Sequence, residues 1–178
     1  MDINIFKIKI GKEEAIRTAK GMRSFFMGLS NKKISEVRIH YVEVKFVTCI
    51  LTHKPNFLEK YLFRNNKIKK QKILMLVDGT TCETAIVDSK PEIASVKDVD
   101  QESIQISSYS DKRMIDSCKR VASRVVRRNL GNLAEIEFEK IENCYRPYWL
   151  ILYGEMKEGK KVRCIPVSAD GCGSYRNF

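Results

Sequence analysis

Nowhere does the chain run to the roughly 18 to 20 consecutive apolar residues that a spanning helix requires, and Lys7 and Lys9 interrupt its first apolar stretch. Neither a membrane span nor a secretory leader is therefore expected, and the compartment read from the sequence is the cytoplasm. Histidine is scarce, with only His40 and His53, and no Cys-x-x-Cys pair occurs. A metal site would have to be gathered from scattered positions, so none is expected. The six cysteines would suggest disulfides in an exported chain; without an export signal they read as reduced thiols. Gly-x-Gly-x-x-Gly, a Walker lysine and His-Glu-x-x-His are all missing, which removes the usual dinucleotide, nucleotide and zinc-protease signatures and leaves no cofactor implied.

What the chain does have is a second half that answers its first. Across the amphipathic stretches 13–29 and 113–130, Ile16 meets Ile115, Ala19 meets Cys118 and Phe26 meets Val125. Upstream, Phe6, Ile8 and Ile10 alternate with lysines, and Ile104 and Ile106 alternate with Gln105 and Ser107, the period-two pattern of a half-buried strand. Downstream, Val37, Ile39 and Tyr41 correspond to Ile136 and Phe138, each set with one wet face. The continuous apolar runs 44–51 and 148–153 then read as covered strands, followed by 73–77 and 162–167. Between the last two strands the first half carries an insertion, 54–70, with Phe57, Leu58, Tyr61, Leu62 and Phe63 at helical spacing behind Pro55. In the second half only the short link 155–160 stands there, a hairpin signal.

The fold class predicted is α+β, as two tandem repeats of a strand, one long helix and an antiparallel meander packed against that helix. The first repeat spans 1–90, a polar linker 91–102 follows, and the second repeat spans 103–178. The adjacent meander is the nearest surface on which each helix can bury its stripe.

Charge is the other strong feature, 33 Lys and Arg against 22 Asp and Glu for a net +11, which favours attraction to polyanions. At 100° per residue, Met114, Ile115, Cys118, Val121, Ala122, Val125 and Val126 fill one arc of the second helix. Arg113, Arg120, Arg124, Arg127 and Arg128 fill the opposite arc, with Asp116 the only acid in it. A second basic cluster, Arg64, Lys67, Lys69, Lys70 and Lys72, sits beside Tyr61 and Phe63. Nucleic acid or another polyanion held by Arg64, Lys67, Lys69, Lys70, Arg120, Arg124, Arg127 and Arg128 is one reading of these clusters. An ordinary solvated face is the other.

Candidate chemistry is thin. Cys82 and Cys172 lie in Asp-Gly turns with no neighbouring histidine or helix start in the sequence to lower a thiol pKa, and glycine there reads as the residue that accepts positive φ. Glu135, Glu137 and Glu139 alternate on one strand face as ordinary exposed sheet. The run 145–153 holds the only tryptophan; Tyr148, Leu150 and Leu152 share one face and Trp149, Ile151 and Tyr153 the other, while Pro147 suggests a strand start or edge. One set should meet the helix. The run is either core or a partner surface made by Arg146, Tyr148, Trp149 and Tyr153, the residue types that dominate interface hot spots.

A helix, a strand entering through Arg146-Pro147-Tyr148-Trp149 and a strand ending at Val77-Asp78 together resemble PepSY-like repeats of bacterial proteins. In those repeats the last strands read Val-Asp, a few residues, then Thr-Gly-Glu. Residues 77–83 keep that frame with Cys82 in the glycine's place, and 167–173 lack the aspartate. The resemblance implies a non-catalytic module that regulates or inhibits a partner, another protein by preference. The expectation is thus a non-enzymatic binding protein, with polyanion binding as the alternative.

Overall fold

The apolar runs 37–41 and 44–51 are joined by Val42 and Glu43, neither of which turns a chain. In the computed structural model they form one uninterrupted strand, β2 (Ile34–His53). The same holds for β7 (Glu135–Tyr153), which carries Pro147 in its interior rather than at its start. Its parallel bridge to the first strand falls at Tyr145 and its antiparallel pairing with the last begins at Tyr148. The Pro147 carbonyl accepts from Ala169 N–H at 2.9 Å, and the Ala169 carbonyl opposite it takes the N–H groups of Lys9 and Ile10 at 2.8 and 2.9 Å in place of the one proline lacks. The structure describes residues 1–22, 33–53, 68–130, 135–155, 157, 159–160 and 162–172. Among them the fold is α+β, with two helices and strands pairing both parallel and antiparallel. The helical turns expected within 54–67 lie outside the described residues.

Two compact units divide the chain, one drawn from Met1–Val42, Pro91–Gln105 and Tyr145–Phe178, the other from Glu43–Lys90 and Ile106–Cys144. Each therefore takes residues from both halves of the sequence.

In the first unit β1 (Ile3–Phe6) runs antiparallel to β5 (Ile93–Val96), so the polar stretch 91–102 contains a paired strand as well as a connection. Four residues of modest hydrophobicity suffice there because Ala94 and Val96 pack on Ile3, Ile5, Tyr41 and Tyr145. The two-residue β6 (Ile104–Gln105) lies parallel to Tyr41 and Val42, and Ile106 just beyond it is exposed. β8 (Arg163–Ser168) pairs antiparallel with residues 148–153. The first helix, α1 (Lys12–Met22), buries Ala15 and Ala19 on Ile151, Tyr153, Ile165 and Val167. Alanines at i and i+4 share one helix face, and their small side chains let the helix approach the strands closely. Ile16 is only half-buried, and residues 23–29 of the expected helix lie outside the described set.

In the second unit β2 continues into an antiparallel ladder with β3 (Lys69–Asp78), and β4 (Thr84–Val87) adds to the outer side of β3. The second helix, α2 (Asp111–Leu130), lays Met114, Cys118, Ala122 and Val126 on Val47, Cys49, Leu51, Met75 and Val77. Every fourth residue faces down, the stripe read from the sequence. Truncating one such large side chain, Met114 to alanine, costs about 2–5 kcal/mol in transfer and cavity terms.

The main packing partner of each helix differs from the expected one. α1 sits chiefly on the β7–β8 hairpin and α2 on the β2–β3 hairpin, each belonging to the other half of the chain. Strand length is the physical reason. Twenty extended residues of β2 reach about 65 Å at ~3.3 Å each, whereas even a helix over the whole expected stretch 13–29 would span only about 26 Å. A helix at the head of such a strand cannot cover the turn at its far end. Beside the head of β2 lies the end of β7, where Ser35 Oγ donates to the Leu152 carbonyl at 3.0 Å and Gly154 N–H to that of Lys33 at 3.2 Å.

Candidate functional site

The face of α2 turned away from its hairpin is lined by Lys119, Arg120, Ser123, Arg124, Arg127 and Arg128, around an open depression of about 700 Å³. All four arginines are exposed. Among the described residues none of the four has a carboxylate partner, whereas lysines elsewhere in the unit do, as in Lys72–Glu139 and Lys90–Glu142. The free guanidinium groups keep their planar forks of N–H donors for an incoming anion.

Buried polar contacts fix the roll of this helix. Lys45 and Glu43 stand two apart on β2, each with a side chain only 9% exposed; Lys45 Nζ lies 2.6 Å from Asp111 Oδ1 and 3.4 Å from Glu43 Oε1. Glu43 Oε2 accepts from Ser107 N–H at 2.7 Å. Burial pulls the Lys45 pKa down, but the hydrogen bond to Asp111 and the charge of Glu43 more than offset it, and the net shift is upward. A turn further along, Ser117 Oγ accepts from the Thr84 hydroxyl at 3.0 Å and donates to the Cys82 carbonyl at 3.2 Å. Arg113 stacks on the Tyr109 ring at 4.5 Å, which occupies that aromatic face. Nothing in the sequence singled out this clamp: Glu43 lies beside, and Lys45 inside, a run that reads as wholly apolar strand. Lys119 and Ser123 were likewise missed, and their positions between Arg113, Arg120 and Arg124 were the available signal.

Of the second basic cluster, Lys70 and Lys72 are not brought beside the first. Arg64 and Lys67, and the side chain of Lys69, lie outside the described residues. Lys70 and Lys72 share the β3 face opposite to Ile73, Met75 and Val77, which pack under α2. Strand alternation sends them away from the arginine row.

The aromatic run is divided as its alternation predicts. Tyr148 and Leu150 pack with Val42, while Trp149, Ile151 and Tyr153 pack under α1. Tyr148 is 2% and Tyr153 0% exposed, so neither ring is offered to a partner. Trp149 Nε1–H donates to the Ile10 carbonyl at 2.8 Å. Arg146 is engaged by Asp170, and although burial opposes its charge, that carboxylate leaves its pKa raised. Of the four residues considered as a partner surface, all are used internally.

The thiols show no catalytic pairing among the described residues. Cys82 Sγ lies 4.0 Å from the Arg113 carbonyl, with no histidine or carboxylate bonded to it among the described residues. Burial pushes the thiols of Cys118 and Cys164 up to about 12 and about 11, which keeps them protonated and poorly nucleophilic. The turn at Cys82 also departs from expectation: positive φ, 59°, falls on Cys82 rather than Gly79. Gly79 is needed because a Cβ there would stand 2.5 Å from the Glu43 carbonyl. Asp78 Oδ1 closes that turn by accepting from the N–H groups of Thr80 and Thr81 at 2.8 and 3.0 Å. At Gly171 φ is 76°, as the Asp-Gly reading expects. Among the described residues no group of three or more His, Cys, Asp or Glu is disposed to hold a metal ion, and no helix is long and apolar enough to cross a membrane.

No protein-family model, no curated protein and no solved structure matches this chain.

Proposed function

We propose that this protein binds a polyanion, and does no chemistry on it, through the outer face of α2. The observation that carries the reading is the row Arg120, Arg124, Arg127 and Arg128, exposed and without carboxylate partners among the described residues. Isolated solvated charges are ordinary. A row of one sign on a helix whose roll is fixed by Lys45 and Ser117 is a pre-formed surface, and pre-organisation lowers the cost of binding. The net charge of +11 adds long-range attraction of the same sign.

The same reading treats the chain as a tandem of two PepSY-like halves. Its support is the matching order β1–α1–β2–β3 and β6–α2–β7–β8.

Retention on immobilised heparin at low salt tests the binding reading. The wild-type protein is expected to be held and to elute with rising salt. The variant with all four arginines changed to alanine, checked for an unchanged far-ultraviolet spectrum, is expected to elute much earlier. Equal retention of the two would remove α2 from the account.

A further inference from the structure

Resting on the polyanion reading, we infer that the ligand class of the α2 face is double-stranded nucleic acid, gripped by its phosphate backbone without reading of sequence. Arg120 and Arg124 are separated by about 6 Å along the helix axis, and Arg128 lies about 6 Å further at 1.5 Å per residue. With Arg127 they fall within an arc of about 100°. The row is a straight rod of charge about 12 Å long, suited to a regular line of phosphates.

What flanks the arginines selects among nucleic acids. Binding of single strands relies on aromatic platforms on which unpaired bases stack, and α2 contains no Phe, Tyr or Trp between Asp111 and Leu130. Tyr109, two residues before the helix, has its ring face covered by Arg113. A duplex stacks its own bases and needs only its phosphates held. Guanidinium and ammonium groups donate and never accept; of the residues lining the depression only Ser123 offers an acceptor. Such a face grips phosphates bidentately; on base edges its forks match only the paired acceptors of guanine, and it lacks the acceptors that adenine and cytosine edges require.

Fluorescence anisotropy with the full-length protein tests this, using labelled ~20-base-pair DNA and RNA duplexes of unrelated sequence and the corresponding single strands. Duplexes are expected to bind at least about tenfold tighter than single strands, and duplexes of one kind, DNA or RNA, to agree across sequences within about threefold. For duplex DNA the log–log dependence of affinity on salt is expected to have a slope near −3.6 for four phosphate contacts. Arg124→Ala should weaken all duplexes alike and reduce that slope by about 1, with Arg124→Lys restoring most of it. DNA and RNA duplexes share the chemistry, and the relative affinities of those two arms identify the natural source. Single strands binding as tightly as duplexes, or one sequence preferred more than about tenfold over others of the same kind, would overturn the inference while heparin retention through α2 still stood. Absence of binding to every duplex, single strand and heparin at low salt would sink the polyanion reading with it.

Discussion

Arg146 grips Asp170 with two prongs, Nε 2.7 Å from Oδ2 and Nη2 3.2 Å from Oδ1, with side chains 14% and 5% exposed. Nη2 also donates to the Cys172 carbonyl at 2.8 Å, and Asp170 Oδ1 accepts from Cys172 N–H at 3.0 Å. One carboxylate therefore fixes both the end of β8 and a cation buried beneath it. Removing only one partner strands the other.

Asp170→Asn is accordingly expected to lower the unfolding free energy by about 3–5 kcal/mol, because the Arg146 charge is left desolvated and uncompensated. Replacing both, as Arg146→Met with Asp170→Leu, is expected to cost less than the single change. Urea denaturation measures both, and a single variant within 1 kcal/mol of wild type contradicts the account.

Gly79 and Gly171 should respond to alanine for different reasons. At Gly79 the added methyl meets the Glu43 carbonyl at 2.5 Å and Ser107 at 3.2 Å, so backbone must move; at Gly171 the nearest atom is 3.8 Å away and the obstacle is φ of 76°. Gly79→Ala is expected to cost about 1–3 kcal/mol through overpacking and Gly171→Ala about 1–2 kcal/mol through left-handed strain. Only the first should disturb the Ser107 loop, read out as faster amide exchange at Ser107 and Ser108.

Alkali should destabilise the fold through Cys118, whose pKa rises from 9.0 to about 12 on burial. The folded state keeps a proton that the unfolded chain releases. Stability is therefore complete below about 9 and falls by about 1.4 kcal/mol per pH unit between there and 12. The stability curve of Cys118→Ala, though lower at neutral pH, is expected to be flatter over that window; parallel curves would disprove the assignment.

Thiol labelling at neutral pH should follow exposure. Cys172 is exposed, Cys82 and Cys164 are intermediate, and Cys49, Cys118 and Cys144 are buried. Mass spectrometry after brief iodoacetamide treatment is expected to find adducts first at Cys172, with the three buried thiols modified only when denaturant is added. Early modification of Cys118 would be incompatible with its place under α2.

Local pattern carried a good deal of this structure. The stripe from Met114 to Val126 faces its core as the 3.6-residue period dictates, and Tyr148 and Leu150 part from Ile151 and Tyr153 as the two-residue period dictates. What escaped depends on residues far apart in sequence. That Ala15 packs on Ile151, and Met114 on Val47, follows from strands too long for one helix to span. Lys45 finds its partner, Asp111, 66 residues further along the chain. β5 was hidden in a stretch of Asp, Glu and Ser because its few contacts are with β1, nearly ninety residues earlier. The candidate site was half visible: the arginine row could be drawn on a helical wheel, but the clamp that orients it could not.

The lodging of α1 on β8 has a consequence for synthesis. The ribosome makes this helix before α2, yet the surface on which it rests emerges only after residue 147, whereas the β2–β3 hairpin and α2 have been made once Cys144 is out. The middle of the polypeptide is thus free to mature while its beginning waits, and a nascent chain halted soon after Cys144 clears the exit tunnel should resist protease around α2 and be cut near Ala15. Protection at both places in that halted chain would refute this order of events.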